Sequence, residues 1–335
     1  MASLLVADVG GTRSRFGVSE LDGKVPCLAV EAVYKNSDFG GFEELLEHFC
    51  AEYDCSPDYA CLAVAGVIGP DSAEMTNLAW RIETTSLQTR FNFKEVALIN
   101  DMTALAAAVP HLQQAELMVL QSGRTSPDYD TIAVIAPGTG LGQGYFFFHD
   151  TGYIIKGSEG GHAGFSPANT EELRIADWLL QNQHMLSAET LLSGYGMTLL
   201  YRYYTEAEGC IAAAWVREKT TPGSDLAPVI VEGATAHKPC PLCCRIIARY
   251  LAMLGGESAN LALKLYARGG VYLGGGVLLH LFDRVSFTPF VEAFRAKGKM
   301  AEMLAQIPVY IIQKQHANLH GVLHYAQTIF QDALP

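Results

Sequence analysis

Two stretches of this chain are built on one plan. Leu5–Phe16 and Val134–Phe147 each read as an apolar strand, a turn of Gly and Thr, and a returning strand. A third glycine turn, Gly274-Gly275-Gly276, follows another short apolar run, Gly270–Leu273. Glycine turns at strand ends, repeated at long separation, predict duplicated α/β halves: two lobes facing a common cleft. The rest alternates accordingly. Period-2 or short apolar runs predict strands at Arg15–Leu21, Ala29–Tyr34, Ala60–Ala65, Val96–Ile99, Ile132–Ala136, Gly144–His149 and Pro308–Ile312. Helical spacing predicts Phe42–Cys50, Met102–Val109 (stopped by Pro110), Glu171–Gln181, Ala188–Leu192, Gly196–Tyr203, Cys243–Tyr266 and Leu319–Phe330. Thr220–Lys238, with two Gly, two Pro and several Thr, reads as a loop-rich insertion. The expected division is a small α/β domain, 1–110 plus 316–335, and a large one, 111–315.

Composition narrows the function. Of 335 residues, 50% are hydrophobic and 17% charged, which excludes disorder and leaves room for two cores. A net charge of −12 argues against nucleic acid or an anionic membrane as partner. It does not exclude phosphate, which backbone N–H groups bind locally. Apolar runs stop short of the ~18 residues of a membrane span, and Met1–Asp8 lacks the marks of a secretory leader. Eight scattered cysteines suit a reducing cytoplasm. His237, Cys240, Cys243 and Cys244 are half a zinc site at best. The second half is missing, and a helix entry is the simpler reading.

Five motifs can carry chemistry. In Asp8-Val9-Gly10-Gly11-Thr12, bare glycines can gather N–H groups around an anion, and Asp8 could hold Mg²⁺ through water; an ordinary hairpin turn reads equally well. Gly138-Thr139-Gly140-Leu141-Gly142 could be a second cradle. It is neither a Walker A loop nor a dinucleotide fingerprint. Gly274-Gly275-Gly276 is the third turn. Asn100-Asp101 ends a strand and enters a helix, where Asp101 can act as a general base, a cap, or both. Gly157-Ser158-Glu159-Gly160-Gly161-His162, with Glu189 opening a later helix, offers carboxylates and an imidazole suited to adjacent hydroxyls. Read alone, this stretch is better taken as a polar surface loop with a solvated Glu.

Taken in order, these motifs resemble the bacterial glucokinases, of the hexokinase/actin-like ATPase fold. The matching stretches are D-V-G-G-T at 8–12, M-T-N at 75–77 with Trp80, I-N-D at 99–101, G-T-G-L-G at 138–142 and G-x-E-G-G-H at 157–162. They continue with S-A-E and L-L-S-G within 187–194, N-L-A-L at 260–263, G-G-V-x-x-G-G-G-V at 269–277 and I-P-V-Y at 307–310. The resemblance implies two lobes of the actin-like ATPase (ribonuclease H-like) fold around a central cleft, and ATP-dependent phosphorylation of D-glucose. Asn100, Asp101, Glu159, His162 and Glu189 would bind the sugar, with Asp101 as base on the 6-hydroxyl and Asn77 nearby. Asp8, Gly10, Gly11 and Thr12 would face the phosphates and Mg²⁺. Gly138, Thr139 and Gly140 would line the second phosphate turn, and Gly275 and Gly276 would meet the adenosine. A cytoplasmic homodimer is expected.

The chain departs from the family pattern at Arg13, at Pro137, at Leu278-Leu279, and at Ala317-Asn318-Leu319-His320-Gly321. Three readings compete with glucose phosphorylation: a kinase for fructose, mannose or an N-acetylhexosamine, a degenerate sugar-sensing protein, and an ATPase that needs no sugar. The Asn100-Asp101 and Glu159–His162 pair argues against the last. An acidic chain with no basic helix-turn-helix argues against a DNA-binding regulator.

Overall fold

A computed structural model describes residues 2–21, 26–75, 78–124, 131–149, 152–220 and 223–330. The chain divides into two compact units. One comprises Met1–Gln114, Ile155–Gly157 and Lys314–Pro335, the other Ala115–Ile154 and Ser158–Gln313.

The first unit is a mixed sheet of β1 (Ala2–Val9), β2 (Arg13–Leu21), β3 (Val30–Lys35), β4 (Tyr59–Val64) and the later strand Glu95–Asn100. Between the last two lies a small antiparallel sheet, β5 (Gly66–Ile68), β6 (Ser72–Met75) and β7 (Arg81–Glu83), so Glu95–Asn100 is β8. The main order is β3-β2-β1-β4-β8. β1, β2 and β3 form an antiparallel meander, while β1, β4 and β8 run parallel. The centre of β1, Leu4–Ala7, is an unbroken apolar run because both its faces are covered. Leu5, Ala7 and Val9 pack with Phe42, Leu45 and Phe49 of α1 (Phe42–Glu52). Leu4 and Val6, on the opposite face, pack with Leu319, Val322 and Leu323 of the last helix, Ala317–Ile329. α2 (Thr84–Phe91) and α3 (Asp101–Ala108) complete this part of the chain.

The second unit repeats the plan. Its strands are β9 (Leu117–Gln121), β10 (Ile132–Pro137), β11 (Leu141–His149), β12 (Gly152–Ser158), β13 (Gly270–Leu273) and β14 (Val309–Ile312), in the order β12-β11-β10-β13-β14-β9. β10 pairs antiparallel with β11 and parallel with β13, which pairs parallel with β14. The helices are α4 (Thr170–Gln181), α5 (Ala188–Leu192), α6 (Gly194–Arg202), α7 (Ala214–Lys219), α8 (Ala227–Thr235), α9 (Pro241–Leu265), α10 (Gly276–Leu281), α11 (Thr288–Arg295) and α12 (Ala301–Ala305); Ala317–Ile329 is α13. α9 buries Leu242, Ile246, Tyr250, Leu251 and Leu254 in the core of this unit. Among the described residues no helix is long and apolar enough to cross a membrane.

One expectation is corrected. Thr220–Lys238 is loop only at its ends, because α8 (Ala227–Thr235) occupies its centre. Pro228 stands in the first turn of α8, where proline costs no hydrogen bond. Gly233 is a packing glycine, since a Cβ there would lie 2.5 Å from the Cys243 sulfur on α9. Pro228 and Gly233, read as breakers, are therefore an entry signal and a helix–helix contact.

Candidate active site

In the first unit the hairpin register puts Asp8 directly opposite Arg15. Facing residues of an antiparallel pair share a side of the sheet. The Arg15 guanidinium accordingly donates to Asp8 Oδ2 at 3.0 Å. Asp8 is 6% exposed. Burial pushes its carboxyl up, Arg15, Asn318 and His316 pull it down, and the net direction is up. Asn36 braces the turn between the strands: its Nδ2 donates to Gly10 O at 2.7 Å and its backbone N–H to Thr12 O at 3.0 Å. Thr12 and Arg13 are exposed. Arg13 stands opposite Lys35 of β3.

The parallel register places Asp8, Ala63 and Ile99 on one rung. Asn100 and Asp101 follow at the carboxyl edge of β8, two strand spacings from β1, roughly 10 Å. Asn100 caps α3, its Oδ1 accepting from Met102 N–H at 2.9 Å. Asp101 is the first, half-buried residue of the helix. Thr103, one turn-face further, accepts from Gly157 N–H at 2.8 Å. Two acids thus stand at the edge where α/β sheets bind ligands.

In the second unit the corresponding edge is built of glycine. Ile135 pairs with Leu273, so the turns after β10 and β13 leave neighbouring strands. Gly138 N–H donates to Gly140 O at 2.8 Å, and Gly194 N–H to Gly138 O at 2.9 Å. Gly275 has φ +102°, and a Cβ there would lie 2.2 Å from the Pro137 carbonyl oxygen. Only glycine suits that conformation and that approach. Gly138, Thr139 and Gly276 are exposed.

Glu189 joins this edge to the proposed sugar ligands. It opens α5, which Ser187 caps through Thr190 N–H. Its Oε2 accepts from Leu141 N–H at 2.9 Å, immediately after the glycine turn. His162 lies between two carboxylates, with Nδ1 3.7 Å from Glu189 Oε1 and Nε2 3.8 Å from Glu159 Oε2. The cluster Glu159, His162, Glu189 offers acceptors and a two-faced imidazole to a polyhydroxylated ligand. Asn77 lies outside the described residues.

Sequence reading missed Arg15, Asn36, Asn318 and Thr103 as supports of the site. The register signal for Arg15 was present: seven residues separate it from Asp8, centred on the Gly11-Thr12 turn. The other three depend on tertiary contacts. For Mg²⁺ the donor chemistry fits an outer-sphere contact. Asp8 is a hard-oxygen donor, and Mg²⁺ keeps several waters beside one or two carboxylates and substrate phosphates. Among the described residues no three His, Cys, Asp or Glu side chains are grouped to cage an ion.

The profile of the glucokinase family matches residues 5–329. The chain belongs to the glucokinase family. A glucokinase of Caulobacter sp. (strain K31) is 35% identical over 95% of this chain and 93% of its own length. The crystal structure of a glucokinase from an Antarctic psychrotroph superposes with a TM-score of 0.83 at 28% identity, covering 98% of this chain and 99% of that one. The Balamuthia mandrillaris glucokinase solved in complex with glucose shares the fold, with a TM-score of 0.77 at 22% identity over 97% of this chain and 94% of that one.

The departures from the family pattern have local explanations. Leu278 is fully buried within α10, so an apolar residue there serves the core. Asn318, in the first turn of α13, hydrogen-bonds Asp8. Pro137 ends β10 and presents its carbonyl to Gly275.

Proposed function

We propose that this member of the glucokinase family transfers the γ-phosphoryl group of ATP to O6 of D-glucose, with Asp101 as general base. The observation that carries the reading is the station of Asp101. It opens α3 at the carboxyl edge of β8, beside Asn100, whose Oδ1 is already committed to the helix cap. A half-buried carboxylate there is positioned to take the proton of a hydroxyl as its oxygen attacks phosphorus. Glu159, His162 and Glu189 would hold the remaining hydroxyls, and Asn100 would donate through its free amide. Gly10, Gly11 and Thr12, with Gly138, Thr139 and Gly140, would supply N–H and hydroxyl donors to phosphate oxygens. Gly275 and Gly276 would pass close to the adenosine. Mg²⁺, which Asp8 would hold through water, neutralises phosphate charge when bound. The recurrence in both sheets of an antiparallel hairpin (β1–β2, β10–β11) beside two parallel strands (β4 and β8, β13 and β14) supports the actin-like ATPase (ribonuclease H-like) reading.

A coupled assay of ADP release over a panel of hexoses tests this. We expect glucose-dependent release, falling in Asp101→Asn by about 100-fold or more with glucose binding little changed. An Asp101→Asn enzyme as fast as the parent removes the base assignment. Marked preference for mannose, fructose or an N-acetylhexosamine replaces the substrate.

A further inference from the structure

The sulfurs of Cys240, Cys243 and Cys244 play no part in the phosphoryl chemistry. Cys240 is the N-cap of α9, Pro241 its first residue, and Cys243 follows one turn on. A C-P-x-C run at the mouth of a 25-residue helix sets its first cysteine at the N-cap, in the positive field of that terminus, though its side chain makes no cap hydrogen bond. The packing adds a donor from another segment, since Ala213 N–H points to Cys240 Sγ at 3.4 Å. The nearby Leu242 and Cys243 amides and the Cys243 thiol also favour negative charge on the Cys240 sulfur. Burial pushes the Cys240 thiol up, these donors outweigh it, and the net direction is down. Burial pushes Cys243 the other way, with the adjacent Cys240 sulfur adding to it, so Cys243 remains a thiol. The result is a pair of sulfurs one helical turn apart, one member biased towards thiolate and the other held protonated.

We propose that Cys240 and Cys243 are a redox-active dithiol that closes to a disulfide on reaction with a hydroperoxide. The size of the oxidant follows from the burial. Cys240 is 1% exposed and Cys243 0%, so a partner protein's disulfide is barred and a small hydroperoxide reaches them only when this turn opens. Helix termini open more readily than helix interiors, and the exposed Cys244 shows that this turn reaches the surface. In the first step the Cys240 thiolate attacks one peroxide oxygen. The O–O bond breaks, the sulfur becomes a sulfenic acid, and the departing oxygen takes a proton and leaves as water (or an alcohol). The Cys243 sulfur then attacks Cys240. The S–S bond forms, the sulfenic oxygen leaves, and it takes the Cys243 proton to become water. Two electrons pass from the two sulfurs to one peroxide.

The test uses the full-length protein treated with hydrogen peroxide, unfolded, alkylated and mapped by mass spectrometry before and after reduction. The expected product carries a Cys240–Cys243 link, with two alkylation sites lost and both regained on reduction. Cys243→Ser should stop at a Cys240 sulfenic acid that dimedone captures, while Cys244→Ser should close like the parent. Should Cys243→Ser not fold, the map of the unaltered protein decides alone. Full alkylation of Cys240 and Cys243 at a peroxide dose that oxidises the exposed Cys27 would overturn the proposal. So would a link through Cys244, or dimedone on Cys244 in place of Cys240.

Discussion

The two glycine turns occupy equivalent places in two sheets of the same order, yet they are electrostatic opposites. Around the first, Leu5–Phe16 carries Asp8, Arg13 and Arg15; around the second, Ile132–Phe147 carries no ionisable acid or base except the phenol of Tyr145. The first turn gathers its charge locally, through the Asp8–Arg15 pair across the hairpin. The second imports it, because Glu189 arrives from α5 to accept from Leu141 N–H. Topology alone therefore provides a row of N–H donors at the carboxyl edge of each sheet. The charged groups are an addition of particular residues: Asp8 and Asp101 stand at strand ends of the first unit, and Glu159 follows β12.

The hardest blow to that contrast is a pair of conservative changes. Asp101→Asn removes the proposed base from the first edge, and we expect turnover to fall about 10²–10⁴-fold, roughly 3–5 kcal/mol of barrier. Glu189→Gln keeps an acceptor for Leu141 N–H and loses only charge, so its main effect should be on the KM for glucose. Steady-state kinetics on both variants would reverse the assignment if Glu189→Gln lost more kcat than Asp101→Asn.

The glycines of the second edge divide into structural and ligand-facing positions. Gly275→Ala meets the Pro137 carbonyl at 2.2 Å with φ at +102°, so a stability loss of about 2–4 kcal/mol is expected in urea unfolding. A Cβ on the exposed Gly138 meets nothing within 4 Å. Gly138→Ala should thus stay within ~0.5 kcal/mol of the parent, and any rise in the KM for ATP then reports on the nucleotide itself. Equal destabilisation by the two changes would erase the distinction.

The repeated plan was legible because buried strands leave continuous apolar runs and because glycine turns punctuate them. β1, β10 and β13 are read directly from Leu4–Ala7, Ile132–Ala136 and Gly270–Leu273. The sheet β5-β6-β7 was not legible, since strands such as Gly66–Ile68 and Arg81–Glu83 are too short to show a period. β9 escaped for another reason: Leu117–Gln121 pairs at the sheet edge with β14, far along the chain. The site divided the same way. Asp8 and Asn100-Asp101 announce themselves at strand ends, whereas the bond from Leu141 to Glu189 joins residues 48 apart with no local mark.

Arg15 sharpens the comparison at smaller scale. It is partly exposed while its partner Asp8 is not, so Arg15→Met should cost about 1–3 kcal/mol, less than breaking a fully buried pair. Without the guanidinium, burial pushes the Asp8 carboxyl further up, and the variant should gain stability on mild acidification relative to the parent. Urea midpoints across the acid range check this, and parallel curves for the two proteins would remove Arg15 as the support of Asp8.

The smallest effect separates the units by pH. His324 on α13 stacks on His111, which follows α3, with ring centroids 3.4 Å apart and planes 2° from parallel. Burial pushes His324 down from 6.5 to about 4, and His111, His320 and Lys314 add to the shift. Burial also pushes His111 down. Between those two values the unfolded chain binds the proton and the folded chain does not, so folding stability rises with pH across the window. It is fully present above about 6.5 and is lost as pH falls towards about 4. The loss belongs to the first unit, where α3 and α13 pack. Hydrogen-exchange protection factors for those helices should therefore decline before those of α9 as the pH is lowered, and His324→Gln should flatten the decline. Protection falling together in α13 and α9, unchanged by His324→Gln, would place the acid sensitivity elsewhere in the molecule.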